Sequence, residues 1–360
     1  MRERSPTMDT LLSPRRREVL QALGAAALLA GCGSARDGTP IEEFRGPTMG
    51  TWFTAKIAGT RLSEAGAAAA RDAVAGALES VVARMSTYLP DSELSRFNRH
   101  ADDTPFGLSA DTLAVFELAR QVSEVSDGAF DITIAPIVDA WGFGPSKVHR
   151  IVAGAELATL APRVGWRGLT VDGAAGTATK ARGDLRADLS GVAKGYGVDK
   201  AAQALEALGI ANYMIEAGGE VRTRGSNAEG RPWRIAIERP DAMPQRPHFI
   251  VPLSGLAMAT SGDYRIYFEE GGRRYSHEID PATGQPIRHG LASVSVVARE
   301  CGYADAMATA LIVQGPDRGF ALAAAQNVAA HFIVRERDGS LVDLRTPAMV
   351  ALGGTPVPYA

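Results

Sequence analysis

Apolar positions along the chain fall into long stretches of helical spacing separated by short runs of period two. After Ser63, the residues Val74, Leu78, Val81, Val82 and Met85 recur on one helical face, which predicts a long amphipathic helix ended by Pro90. A second helix is predicted with Ser109 as its N-cap and Val115, Phe116, Leu118, Ala119 and Val122 as its apolar stripe, closed by Gly128. A third places Val198, Ala201, Leu205 and Leu208 on one face, with Gly209 beyond its end. Ahead of them "TWFTAKIAG" reads as a strand, and behind them "ANYMIEAGGEVRTRG" reads as a strand running into a glycine turn. From Trp233 to Asp280 the pattern is β: "WRIAIE", "HFIVPL", "LAMAT" and a hairpin pivoting on Gly271 and Gly272. A strand "ASVSVVA", a helix from about Ala304, another around Phe320 to Gln326 and a hairpin through Asp338 and Gly339 follow. Consecutive strands mixed with helix pairs predict an α+β fold with largely antiparallel sheets, not a doubly wound parallel sheet.

Composition changes this picture little. The 360 residues are 46% hydrophobic and 22% charged, with a net charge of -3, as in an ordinary soluble globular protein. Neither a basic excess nor a basic stripe with interleaved aromatics is present, so nucleic acid is not an expected partner. The length suffices for one large core or two lobes around a cleft, which favours an enzyme over a small binding module.

The N-terminus carries a different message. "SPRRREVLQALGAAALLAGC" has a basic segment, a short apolar run and small residues at its end, the pattern of an export signal over residues 1–32. Arg16 and Arg17 before Glu18, Val19 and Leu20 resemble a twin-arginine signal, with ordinary secretion as the alternative. Leu29, Ala30, Gly31 and Cys32 resemble a bacterial lipobox, which makes Cys32 the expected lipidation site; the alternative is an incidental cysteine. Val19 to Gly31 is too short for a permanent span. Residues 33–44, rich in Gly, Ser, Asp and Pro, read as a tether, 45–350 as the folded part of the chain and 351–360 as a tail. With Cys32 lipidated, Cys301 has no disulfide partner.

Four polar, glycine-punctuated stretches are candidates for chemistry. "MSTYLPDSELSRFN" puts Tyr88 near a helix end, as a core or rim aromatic or as a platform for a planar ligand. "GAFDITIAPIVDAWGFG" sets Asp131 among apolar neighbours, where its carboxylate needs a partner and serves as a structural cap or a ligand contact. "DLSGVAKGYGVDKAA" leads into the third helix. There Gly191, Gly195 and Gly197 permit close backbone approach, Lys194 adds a charge and Asp188 offers an acceptor. It reads as an anion cradle or as a plain helix start. In "YADAMATAL", Asp305 and Thr309 stand four apart, hence on one helical face, an oxygen pair suited to magnesium or to capping. His277, beside acids in "SHEIDPATGQP", is the candidate general base; the other five histidines have no such setting.

Taken together, "MGT" at Met49 to Thr51, "MSTYLPDSELSRFN", "GAFDITIAP", "DLSGVAKGYGVD", "EAGGEV", "ATSGDY", "SHEIDPATG" and "ADAMATA" resemble, in order and spacing, the ApbE-type FAD:protein FMN transferases over about residues 45 to 350. The resemblance implies an ApbE-like, T-fold-related fold of two lobes with packed helices around a central FAD cleft. It implies FAD contacts from Met49, Tyr88, Ala129, Phe130, Asp131, Asp188, Lys194 and Ile279. It implies Mg2+ held by the Gly191 carbonyl and the side chains of Asp305 and Thr309. Glu216 stands where many relatives carry a different polar residue.

The expected reaction is attack by an acceptor threonine hydroxyl on the FMN-side phosphorus of FAD, with AMP leaving and His277 as base. An FAD pyrophosphatase and a non-catalytic FAD-binding lipoprotein are the alternatives. The chain has no acceptor-like Asp/Ser-Gly-Ala-Thr segment, so it is expected to be the modifier. The expected partner is an exported FMN-binding domain of a membrane redox complex, and the expected location the bacterial periplasm, on a membrane through the lipid anchor.

Overall fold

The computed structural model describes residues 40–358, so the signal segment, Cys32 and most of the predicted tether lie outside the described residues. The chain starts with strands β1 (Ile41–Thr48) and β2 (Thr51–Ala58), then helices α1 (Glu64–Met85), α2 (Glu93–Arg99) and α3 (Ala110–Val125). Short helices and a small sheet follow, then α4 (Ala193–Ala207), β3 (Tyr213–Ala217), β4 (Glu220–Arg224), β5 (Trp233–Glu238), β6 (Pro247–Leu253) and β7 (Ala257–Gly262). A hairpin of β8 (Tyr267–Glu270) and β9 (Arg273–Ser276) precedes β10 (Leu291–Ala298), α5 (Cys301–Ala325), β11 (Ala329–Arg335), β12 (Leu341–Arg345) and β13 (Thr355–Pro356).

An eight-stranded sheet in the order β1-β2-β3-β4-β7-β10-β11-β12 forms the frame. Each of its pairings is antiparallel, as the α+β reading requires. Alternation assigns its two faces. On β3, Tyr213, Ile215 and Ala217 point to the helices, while Met214 points away. β10 is buried along nearly its whole length because both faces are covered, and even its two serines, Ser293 and Ser295, are buried. α1, α4 and α5 cover one face, and α3 packs on α5. The sheet β13-β6-β5 covers the other, with Trp233, Ile237, Phe249 and Val251 against Met258, Val297 and Ile333. A separate cluster of Ile137, Trp141, Val152, Leu157, Tyr275 and Ile279 makes the second lobe. Among the described residues no helix is long and apolar enough to cross a membrane.

Local signals set the helix starts. The Ser63 hydroxyl accepts from Gly66 N–H, which caps the helix predicted to begin there, and the Ser109 hydroxyl accepts from Thr112 N–H, as its predicted N-cap role requires. α1 buries Val74, Leu78 and Val81, each stabilising the packed state by about 1.5–3 kcal/mol. It ends at Met85, five residues before Pro90. The Ser86 carbonyl accepts from the hydroxyls of Ser92 and Ser95, which turns the chain into α2, a helix not anticipated from spacing. β1 corrects the tether: Ile41 to Glu43 pair with β2, and Phe44 is buried beneath them. The two predicted C-terminal helices are the halves of α5, broken at Gly315 (φ 81°) ahead of Pro316.

α4 and α5 cross at glycine. A Cβ on Gly195 would lie 2.3 Å from the Cys301 carbonyl oxygen and 2.8 Å from the Asp305 Cβ. α5 has no side-chain cap of its own; Asp199 of α4 reaches across and accepts from Cys301 N–H and Gly302 N–H, both at 2.9 Å. Arg222 on β4 holds the same carboxylate. Cys301 is a free, fully buried thiol against the Val221 and Met258 carbonyls.

Gly195→Ala must push α4 off α5 and is expected to lower unfolding free energy by about 1–3 kcal/mol. Gly197→Ala meets mainly the mobile Met49 methyl, at 2.4 Å. Helix propensity offsets that contact, so the expected net change is below about 1 kcal/mol. Urea midpoints of the two variants check this contrast.

Candidate active site

The turn Leu189 to Val192, the start of α4, the first turns of α5 and the β3–β4 bend converge on one recess. Asp305 Oδ2 accepts from Gly195 N–H at 3.0 Å, which orients the carboxylate toward the α4 start. Thr309, one turn on, brings its hydroxyl to 3.2 Å from Ser261 Oγ. A Cβ on Gly191 would stand 3.1 Å from Thr309 Oγ1 and 3.2 Å from the Phe130 ring. Gly191, in the turn before α4, and Asp305 and Thr309 of α5, the predicted metal set, are therefore brought near one another from parts of the chain more than a hundred residues apart. Their oxygens are hard donors of the kind magnesium accepts.

Lys194 is not a free cation in this recess. Its Nζ donates to Glu220 Oε1 at 2.6 Å. Burial alone would lower the Lys194 pKa, but Asp305 and Glu220 overturn that and hold the ammonium charged, above the usual lysine range. Burial likewise raises Glu220 and Asp305 despite Lys194. Burial pushes Glu278 up to about 8, with Lys194 opposing and Asp305 and Asp263 adding to it. Three buried carboxyls thus share one ammonium, and Glu220 Oε2 has no hydrogen-bond partner among the described residues. A divalent cation fits this imbalance.

His277 follows the hairpin and keeps 30% of its side chain exposed at the recess. Its Nδ1–H donates to the Ile266 carbonyl at 3.1 Å, which leaves the lone pair on Nε2, 3.6 Å from Glu278 Oε1. Burial lowers its pKa to about 4, against the Ile266 carbonyl and with Lys194, so the ring is neutral at pH 7. The wall beside it is aromatic. Trp141 stacks on Tyr275 at 5.7 Å, its indole N–H bonded to the Gly284 carbonyl, and the Phe143 ring lies 6.3 Å from His277.

The remaining predicted contacts divide by burial. Tyr88 is 53% exposed, donates to the Phe143 carbonyl at 3.2 Å and feels Asp188 and Asp139. Asp188 Oδ1 accepts from Ser190 N–H, and Asp188 N–H donates to the Ile132 carbonyl, which fixes the turn. Met49 takes a left-handed backbone (φ 47°) and lays its methyl against Gly197. Ala129 is half-buried, and Phe130 is buried under Gly191.

The Asp131 side chain is a local cap: Oδ1 accepts from Thr133 N–H and Oγ1–H, and Oδ2 from Trp166 N–H. The Ile279 side chain packs in the second-lobe core, which leaves only its backbone to meet a ligand. Glu216 accepts from Gly219 N–H and closes the β3–β4 bend. Glu220, Glu278 and Asp263 carry no sequence signal beyond single acids inside "EAGGEV", "SHEIDPATG" and "ATSGDY".

Known proteins resemble this chain over most of its length. The ApbE family model matches residues 49–332. The chain is similar to the FAD:protein FMN transferase of Vibrio cholerae, 43% identical over 329 residues, covering 90% of this chain and 95% of the relative. That of Haemophilus influenzae is 40% identical over 330 residues, again covering 90% and 95%. Among solved structures, the flavin transferase ApbE of Vibrio cholerae superposes with a TM-score of 0.78 at 40% identity, covering 87% of this chain and 99% of that one. The apo flavinyl transferase ApbE of Pseudomonas stutzeri gives 0.79 at 38% identity, covering 88% and 97%.

The raised Glu278 pKa fixes a sign. Between the ordinary glutamate value of 4.5 and about 8 the folded state binds more protons than the unfolded one, so stability falls as pH rises. His277, depressed from 6.5 to about 4, opposes this only below 6.5. Melting temperatures of chelator-treated protein are expected to decline from pH 6.5 to about 8, with a shallower slope in Glu278→Gln and recovery on adding magnesium.

Proposed function

The chain belongs to the ApbE family, and on that premise we propose that it is a FAD:protein FMN transferase that esterifies an acceptor threonine with FMN and releases AMP. The observation that carries the finer reading is the surplus of buried carboxylate facing Lys194 beside Gly191 and Thr309. The Gly191 carbonyl, Asp305 and Thr309 would hold the magnesium ion. Bound there, magnesium would neutralise charge on the pyrophosphate oxygens as the phosphoryl group moves.

The protein's own groups do the rest. The charged Lys194 draws in the diphosphate, and Glu220 keeps that ammonium oriented. Tyr88, Met49, the Ala129 and Phe130 segment, Asp188 and the Ile279 backbone border the cleft for the rest of FAD. The threonine Oγ forms a bond to the FMN-side phosphorus, and the bridging P–O bond breaks toward AMP. His277 Nε2, neutral at working pH, takes the hydroxyl proton.

Cys32 as lipid anchor, a periplasmic site at the membrane and an exported FMN-binding domain of a membrane redox complex as acceptor complete the proposal. It rests on the basic and apolar leader, the lipobox pattern and the Gly- and Ser-rich segment behind it.

Co-expression with an exported FMN-binding acceptor, followed by mass spectrometry, tests the reaction: an FMN adduct on threonine is expected. Asp305→Ala should abolish the adduct. His277→Gln should slow its formation by about 10²–10⁴-fold while FAD titration is little changed. Full adduct yield in Asp305→Ala rejects the metal set, and FMN found only free in solution rejects transfer to protein.

A further inference from the structure

On the far side of the central sheet, β11 and β12 place a second group of ligating side chains. His331 and Asp343 are diagonal neighbours across these antiparallel strands, on the face turned toward the β13-β6-β5 sheet. From that sheet β6 brings down His248. A donor atom from each of the three lies within 4.8 Å of the others. Sequence spacing gives no hint of this, because the residues are 12 to 95 apart and belong to two sheets.

His331 is the unusual member. It is 0% exposed, and neither ring nitrogen has a hydrogen-bond partner among the described residues. Leaving a buried polar group unmatched costs about 1–3 kcal/mol, so such groups are kept where something else satisfies them. Its Nε2 sits 3.3 Å from Asp343 Oδ2, outside hydrogen-bond geometry. That is the spacing of two ligands on one tetrahedral ion, roughly 3.3 Å for metal–ligand bonds of about 2.0–2.2 Å. His248 Nε2 lies 2.7 Å from the other oxygen, Oδ1, and needs to open by roughly half an ångström to share the ion. Arg345, opposite His331 in the strand register, is held over the Phe249 ring at 5.0 Å. The Phe249 ring also packs edge-on to His331, at 4.7 Å.

We infer that His248, His331 and Asp343 form a binding site for a divalent transition cation of the zinc type, which clips the small sheet to the β11–β12 edge of the central sheet. Two imidazoles and one carboxylate suit zinc and exclude magnesium, whose preference is oxygen, so the site is chemically distinct from the recess around Asp305. Asp343 and His248 are partly exposed and provide the way in. The fourth position is open to water.

The test uses the full chain, treated with chelator, dialysed and kept in excess magnesium so that the Asp305 recess does not compete. Zinc alone is the probe, titrated against a chromophoric chelator, with cobalt as its spectroscopic substitute. One equivalent of zinc per chain is expected, with tetrahedral cobalt bands and a rise in melting temperature on zinc addition. Asp343→Asn and His248→Gln, both at partly exposed positions, should each weaken binding at least tenfold and erase the melting shift, whereas Asp305→Ala keeps both. No zinc uptake by the folded wild type, or uptake equal in wild type, Asp343→Asn and His248→Gln, overturns the assignment.

Discussion

Everything in the recess depends on how closely α4 approaches α5. Gly195 allows the approach, and two carboxylates crossing in opposite directions fix it: Asp305 of α5 on the Gly195 amide, and Asp199 of α4 on the first amides of α5. Each helix start is thus satisfied by the other helix. That coupling sets where Gly191, Thr309 and Lys194 stand, because all three are within a turn or so of the crossing. The sheet beneath supplies rigidity, and Arg222 on β4 ties it to the same Asp199 carboxylate.

Electrostatics then does what packing cannot. Hydrophobic burial alone would place neutral groups beneath the α4 start, yet this protein sets three carboxyls there with one lysine. Their raised proton affinities are the signature of charge held out of water without enough countercharge. On the proposed function, that deficit of positive charge is what a dication would make good. His277 beside it is neutral at pH 7, its pKa lowered chiefly by burial.

Much of this was legible in the sequence wherever the cause is local. Ser63 and Ser109 cap helices through hydroxyls three residues from their targets, and spacing reveals them. The Asp305–Thr309 pair is also visible as one helical face. Its meeting with Gly191 is not, and only the resemblance to a known family implied it. What stayed hidden has its cause far away in the chain. α2 begins at Ser92 because Ser86 is turned back, and its Glu93 reaches to the Ser109 and Thr112 hydroxyls. β1 is a mostly polar edge strand recognisable only by its partner. Lys194 reads as an open charge until Glu220, 26 residues on, is seen to hold it. Asp131 is resolved as a cap only by Trp166, 35 residues away.

Cys301 gives the fold a chemical durability of its own. The thiol has no exposed surface, and burial, reinforced by Asp199, Glu220 and Asp305, drives its pKa far above the ordinary range. The reactive thiolate is therefore scarce and out of reach of oxidants. An exposed thiolate at this point would be open to oxidants and to disulfide exchange. The one sulfhydryl under the helix crossing is sealed against sulfenic acid formation and against stray cross-linking with neighbours.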